Sequence, residues 1–346
     1  MGMLFCDGWE LEFSQNNSGL WDTFSQSYYR ADMDYVSGSR NGRGIRFTTW
    51  NNRVNYIDKA LESSYDTLYG QISVKFGAEI PGAVNTWTPL LRFLDEASST
   101  HVDLSIGKTG DVGFSRSTTT TLADSTYRFK PDRWYLLRWK VIIDDSAGEL
   151  YLDVDGQVVI DESSLDTRNG ATDIKTLRLG VAYPDLSDKY VYYDDLVLRD
   201  DALPAFVTIY PLWPEADGTY TAWSLSAGTA AWALIDDATG GTADYIYAGT
   251  GDVNSVTSCD LDNPLPANIG TIEAIQVNAL WSISDAGGTA PAQSMIRSGT
   301  IDSYGGSIEP ALAEAWYYDV WDLDPDGSAA WTSSALGALE AGARRL

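Results

Sequence analysis

Apolar and polar residues alternate in steps of two along most of residues 1–200. In QISVKFGAEI (71–80), Ile72, Val74 and Phe76 take one side, and Ser73 and Lys75 the other. WYLLRWKVII (134–143), ELYLDVDGQVVID (149–161), KTLRLGVAY (175–183) and KYVYYDDLVL (189–198) repeat the pattern. Alternation rich in β-branched and aromatic residues predicts strands. Turn-forming runs separate them: DDSAG (144–148), VDGQ (154–157) and PDLSD (184–188). Asp155-Gly156 suits the two positive-φ positions of a tight hairpin. Helical spacing is scarce. KALESSYDTLYG (59–70) is read as a turn or two of helix. AWTSSALGALEAGARR (330–345) is read as an amphipathic helix, with Trp331, Leu336 and Leu339 near one face. Arg344 and Arg345 then stand near its C-terminus, where cations complement the helix dipole. Many short, regularly spaced strands point to antiparallel sandwiches.

Charge divides the chain. Residues 1–200 hold 20 of the 23 Lys and Arg, whereas residues 201–346 hold only Arg297, Arg344 and Arg345 against 19 acids. DDALPAF (200–206) marks the change with acids and a proline. The expected organisation is a first domain over 1–203 and a smaller acidic domain over 204–346. The net charge of -26 argues against nucleic acid and anionic membrane surfaces as partners, because both need clustered cations. No apolar run reaches the length of a membrane span. The start, MGMLFCDGWELEF, has neither the basic region nor the apolar core of a secretory leader. One His and two Cys cannot supply a multi-His or four-Cys zinc site, and a Ser-His-Asp triad would have to use His101. Cys6 and Cys259 are read as reduced, buried thiols, which suits synthesis in a reducing cytoplasm.

Several segments fall into a familiar order: FCDGWE (5–10), SGSRNGRGIRF (37–47), LLRFLDEASSTHVDLSIGKTGDVGFSRS (90–117), DRWYLLRWKVIIDDSAGELYLDVDGQVVID (132–161) and YVYYDDLVLRD (190–200). Over about residues 5–200 the chain resembles a concanavalin A-like lectin/glucanase sandwich of the laminin-G-related type. The resemblance implies a lectin-like jelly roll, of a kind that recurs in virion proteins of tailed bacteriophages. The ending adds to it. Trp321, Asp324, Pro325, Gly327, Trp331, Thr332, Leu336, Leu339 and Gly342 match a tail common among phage structural proteins. No catalytic role travels with the resemblance.

The candidate chemistry is thin. Glycan hydrolases of this sandwich type carry Glu-x-Asp-x-(x)-Glu on one strand, so that two carboxylates flank the scissile bond. Glu10 and Glu12 alternate correctly but lack a further acid, and Asp155 of the Asp153/Asp155 pair belongs to a turn. Lyase chemistry commonly pairs Tyr with His, and His101, at the start of a strand in SSTHVDLSI, reads as an ordinary surface or half-buried residue. In resembling sandwiches the first and last strands pair, and acids there hold Ca²⁺ with loop carbonyls. Asp7, the Gly42 carbonyl and Asp195 form such a partial set; the competing reading gives both acids to turn backbone. DLDPDG (322–327) reads as a turn rather than a calcium loop, because its twelfth position is Ser333 and Pro325 lies inside it. Trp50, Trp87 and Tyr183 lie beside expected loops as candidate sugar platforms, against a competing role in the core.

The expectation is a mainly β protein of two β-sandwiches, the smaller C-terminal one closed by a short helix. It would be a structural component of a tailed-phage particle, made in the host cytoplasm and residing in the virion. Its partners would be copies of itself, other virion proteins and host-surface glycan. No cofactor is required, and Ca²⁺ at Asp7, Gly42 and Asp195 is the one candidate. The rival readings are a tail-associated glycan depolymerase and a calcium-dependent carbohydrate-binding module.

Overall fold

The computed structural model describes residues 2–9, 20–25, 33–37, 43–49, 53–81, 87–116, 120–183, 189–236, 244–262, 269–284 and 290–346. It divides into two compact units, the first reaching Ile209 and the second running from Tyr210 to Leu346. Both are built from antiparallel sheets. No helix among the described residues is long and apolar enough to cross a membrane.

The first unit contains β1 (Met3–Asp7), β2 (Thr23–Ser25), β3 (Met33–Ser37), β4 (Arg43–Thr49), β5 (Arg53–Tyr65), β6 (Thr67–Phe76), β7 (Thr88–Leu94) and β8 (Thr100–Ile106). It continues with β9 (Asp111–Arg116), β10 (Thr120–Arg128), β11 (Trp134–Ile142), β12 (Gly148–Val154), β13 (Gln157–Leu165), β14 (Ile174–Tyr183) and β15 (Lys189–Arg199). An eight-stranded sheet runs β13-β12-β11-β6-β15-β4-β3, with β1 also paired to β15. A seven-stranded sheet runs β10-β9-β8-β7-β14-β5-β2.

Alternation decides which side chains meet between the sheets. Leu68, Ile72, Val74 and Phe76 of β6 and Leu137, Trp139 and Val141 of β11 have no exposure. They face Phe93, Leu104, Phe114, Leu177 and Leu179 of the other sheet, which are equally buried. Phe93 and Trp139 meet edge to face at 6.3 Å between centroids, a favoured aromatic geometry. Gly70 opposes Trp139 in register, and a Cβ there would lie 2.2 Å from the indole, so this position needs glycine. The expected hairpin forms at Asp155 (φ 52°) and Gly156 (φ 83°). The expected helical turn over 59–70 does not. That stretch is the end of β5 and the start of β6, because Ile57 and Leu61 alternate into the core while the backbone pairs with β14.

Residues 204–209 belong to the first unit, beyond the expected domain end at 203. They form a strap across the outward face of the eight-stranded sheet. The Arg138 guanidinium donates to the Pro204 carbonyl (3.1 Å) and stacks on the Phe206 ring (4.1 Å). The fully buried Gln71 amide pairs with both backbone groups of Val207, at 2.6 and 2.9 Å. The Ile209 N–H donates to Asp195 (3.0 Å).

The second unit contains β16 (Pro214–Thr221), β17 (Ser224–Leu225), β18 (Ile246–Tyr247), β19 (Val256–Leu261), β20 (Ile275–Trp281), β21 (Ala292–Ser298), β22 (Ile301–Tyr304), β23 (Ala315–Trp321) and β24 (Glu340–Arg345). Its main sheet runs β16-β19-β24-β21-β22, beside the β20–β23 and β17–β18 pairs. Ile296, Trp321, Trp331, Leu336 and Leu339 form one core cluster. The expected closing helix is a single turn, α1 (Ser333–Leu336), with Thr332 Oγ1 capping the Ala335 N–H at 3.2 Å. The chain then becomes β24, placed between β19 and β21. Arg344 and Arg345 are therefore strand residues. A Cβ at Gly342 would meet the Thr257 carbonyl at 2.0 Å, so the small residues serve close strand approach.

Candidate functional site

The two sheets of the first unit differ on their outward faces. The strap crosses one. On the other, β8 is buried on both sides: Val102, Leu104 and Ile106 point to the core, while Asp103 and Ser105 alternate outward and are still covered. Polar side chains are thus buried on the face away from the core, under their neighbours on the same sheet.

Strand register sets a row across this face. Ser115 opposes Asp103, Asp103 opposes Arg92, Arg92 opposes Arg178, and Arg178 opposes Asp58. Arg178 binds Asp58 in two parallel contacts of 2.7 and 2.8 Å, the strong fork geometry of guanidinium and carboxylate. Its guanidinium lies 3.7 Å above the Tyr56 ring. Arg92 Nε lies 3.5 Å from Asp103 Oδ1, an ion pair without a hydrogen bond. Burial pushes the Asp103 carboxyl up to about 6, against the opposing pull of Arg92 and Arg178. The Ser105 and Ser115 hydroxyls bond each other at 3.1 Å.

Trp87 and a loop flank the row. The half-buried Trp87 ring rests on Gly113, where a Cβ would lie 2.9 Å from the indole, and its Nε1–H donates to Thr121 (2.9 Å). Of the three expected sugar platforms, Trp87 alone has a described side chain. Trp50 lies outside the described residues, and Tyr183 ends β14 opposite Arg53. The loop after β13 folds over His101, whose Nδ1 accepts the Asn169 N–H (3.1 Å) and whose Nε2 meets the Thr172 carbonyl (2.8 Å). Burial lowers its pKa, so the ring is neutral with both nitrogens engaged.

The expected metal residues lie on paired strands, since Asp7 opposes Leu196, the neighbour of Asp195. Asp7 accepts the Trp9 N–H (2.7 Å) and the Trp21 indole N–H (2.8 Å). Asp195, at φ 50° in a bulge of β15, accepts Ser73 Oγ (3.2 Å) and the Ile209 N–H. Gly42 lies outside the described residues. Among the described residues no three His, Cys, Asp or Glu gather as a metal cage. All four carboxylate oxygens already accept a donor, so a Ca²⁺ here would share them.

The other acids hold structure. Asp153 pairs with Arg138 (2.5 Å) and caps the Gly156 N–H (3.2 Å). Asp155 accepts the Leu136 N–H (2.9 Å) and pairs with Arg133 (2.8 Å). Glu10 and Glu12 lie outside the described residues. In DLDPDG, Asp324 accepts the Asp326 N–H (2.9 Å), as a turn does. Sequence reasoning missed Tyr56, Asp58, Arg92, Asp103 and Arg178. The available signal was a charged residue inside an apolar run, Arg92 in LLRFL and Asp103 in HVDLSI.

Neither a scan against protein-family models nor a search of curated proteins finds a match. Among solved structures, an endo-β-1,4-glucuronan lyase from the fungus Trichoderma reesei aligns at 11% identity and TM-score 0.44, covering 57% of this chain and 95% of that one. The cellulose-induced protein Cip1 aligns at 8% identity and TM-score 0.42, covering 60% and 99%. A carbohydrate esterase from the Shiga toxin-encoding bacteriophage phi24B aligns at 14% identity and TM-score 0.37, covering 52% and 90%.

Proposed function

We propose that the first unit binds a glycan across the outward face of its seven-stranded sheet, as part of a structural component of a tailed-phage particle that contacts host-surface glycan. The row Ser115–Asp103–Arg92–Arg178–Asp58, with Trp87 beside it, carries the glycan reading. Binding sites join apolar groups to a few polar ones, and here the half-buried Trp87 ring stands beside the charged row. Binding without cleavage is the favoured chemistry. Asp58 and Asp103 are each paired with a guanidinium, and His101 has both nitrogens engaged. The phage assignment rests on the resemblance of residues 316–346 to the tails of phage structural proteins.

The test of binding is titration of glycan fragments into the full chain, with Trp87→Ala and Arg178→Ala as variants. Binding that both variants weaken supports the site. New reducing ends or unsaturated products would replace binding with turnover. Particles lacking this protein, mixed with the purified chain, test the virion role through recovery of attachment. Ca²⁺ at Asp7 and Asp195 is tested by melting with and without chelator. A clear fall in Tm supports a bound ion, because a ligand of the native state stabilises it by mass action.

A further inference from the structure

We infer that the outward face of the eight-stranded sheet holds a second glycan site, separate from the one proposed above, and that its ligand is a sugar chain carrying a carboxylate or a phosphate. Register builds the site as a band across four strands. Trp134 of β11 opposes Lys75 of β6, Lys75 opposes Tyr192 of β15, and Tyr192 opposes Arg46 of β4. The Trp134 and Tyr192 rings meet edge to face at 6.5 Å, and Tyr190 lies 6.4 Å from Tyr192. Lys75 Nζ stands 5.1 Å from the Tyr192 centroid, and the Arg46 guanidinium 5.0 Å from that of Tyr190. The strap meets this face at Gln71, and Lys75 lies four residues farther along β6, about 13 Å away.

The groups of this band reach solvent. All five side chains are half-buried. Among the described residues, the Trp134 indole N–H, the Lys75 ammonium and the Tyr190 and Tyr192 hydroxyls make no hydrogen bond to protein, and none of them is sealed inside. Each can donate to a ligand. The charge is unmatched as well. Nearby bases of the first unit hold carboxylates: Arg133 holds Asp155, Arg138 holds Asp153, Lys140 holds Glu149 and Lys189 holds Glu79. Arg46 opposes Asp34 in register. Lys75 meets only the Tyr192 ring among the described residues.

This chemistry selects the ligand. The electron-rich ring faces suit the C–H face of a sugar, and an ammonium gives a carboxylate or phosphate a charge-assisted hydrogen bond. Three strand spacings make the band about 14 Å long, which fits a short oligosaccharide. A stable protein partner needs about 800 Å² on each side, more than five half-buried side chains offer. A densely charged polymer such as nucleic acid is repelled by the net charge of -26, so the ligand carries its acid sparsely.

The experiment titrates the full chain, at physiological salt, with oligosaccharides of matched length that carry no charge, one uronate or one phosphate. A singly charged fragment should bind at least fivefold tighter than the neutral one, and the tighter of the two acids names the source. Lys75→Gln should erase that preference, and Trp134→Ala should weaken acidic-fragment binding at least tenfold. Far-UV circular dichroism and melting of both variants separate lost binding from lost folding. Equal affinity for charged and neutral fragments, or an unchanged preference in Lys75→Gln, would overturn the inference. So would loss of acidic-fragment binding in Trp87→Ala with Lys75→Gln and Trp134→Ala intact, which would put the ligand on the seven-stranded sheet and leave the earlier glycan reading standing. Binding of no fragment at all overturns both.

Discussion

At the level of single residues, Asp103 links stability to pH. Burial raises its folded carboxyl to about 6, above the usual carboxylate range of its unfolded form. Between about pH 4 and 6 the folded state therefore binds more protons than the unfolded one, so this group's contribution falls as pH rises. Asp103→Asn should consequently stabilise the fold at pH 7, by on the order of 1–2 kcal/mol, and the gain should vanish near pH 4. Urea unfolding of both chains at the two pH values checks the sign. His101 opposes this trend on the acid side, because its lowered pKa makes protonation costly in the folded state. That His101 lies on a strand was legible in SSTHVDLSI, but its complete burial, against an expected surface or half-buried position, was not. The row of Asp103 was not legible either, because it comes from five strands between Asp58 and Arg178 whose register no local pattern states.

At the level of elements, the strands over 134–142, 148–154, 157–165, 174–183 and 189–199 follow the alternation in the sequence closely. The alternation works because each strand has one face in the core. It failed at both helical readings, for different reasons. Over 59–70, charged and hydroxyl residues break the apolar beat where β5 runs outward, at Glu62, Ser63 and Ser64, all exposed. Over 330–345, small residues mimic helix composition but serve a tight sheet. Gly342→Ala should be poorly tolerated: the added methyl meets the Thr257 carbonyl in the middle of the main sheet. A loss on the order of 1–3 kcal/mol is expected, in keeping with overpacking of a closed site. Thermal melting should show it, with Gly337→Ala as a milder control, since the nearest atom there is 3.5 Å away.

The strap is the second case at this scale. DDALPAF reads as a linker because it holds acids, a proline and a composition change. Its continuation instead finishes the first unit, with Gln71 lending its amide as if it were one more strand. A fragment of residues 1–209 should melt above a fragment of 1–203. Two hydrogen bonds to Gln71 at about 1 kcal/mol each give a difference of about 2–3 kcal/mol once the exposed amide is included. Equal melting points would mean that the strap adds nothing.

At the level of the whole molecule, charge separates the two units. Of the three basic residues after 200, Arg297 is spent on Asp302 (2.5 Å) and Glu340 (3.8 Å), and Arg344 on Asn254 (2.6 Å) and the Tyr304 ring. Three bases in residues 201–346 are too few to balance 19 acids. The second unit should therefore gain stability from added salt more than the first, because about 0.15 M salt screens charges beyond roughly 8 Å. Melting in low and high sodium chloride, followed by probes in each unit, checks this. That imbalance could be read directly from the sequence, whereas the internal use of Arg297 and Arg344 depends on the β21–β22 and β21–β24 registers.

Neither cysteine, Cys6 on β1 or Cys259 on β19, is in a disulfide, and burial pushes each thiol up to about 12. Thiolate is the form that reacts with oxidants and disulfides, so near neutral pH each sulfur holds very little of it. The molecule should therefore change little between reducing and aerated solution. It should keep for weeks in aerated buffer without forming covalent dimers on a non-reducing gel, and a maleimide should label it only after unfolding.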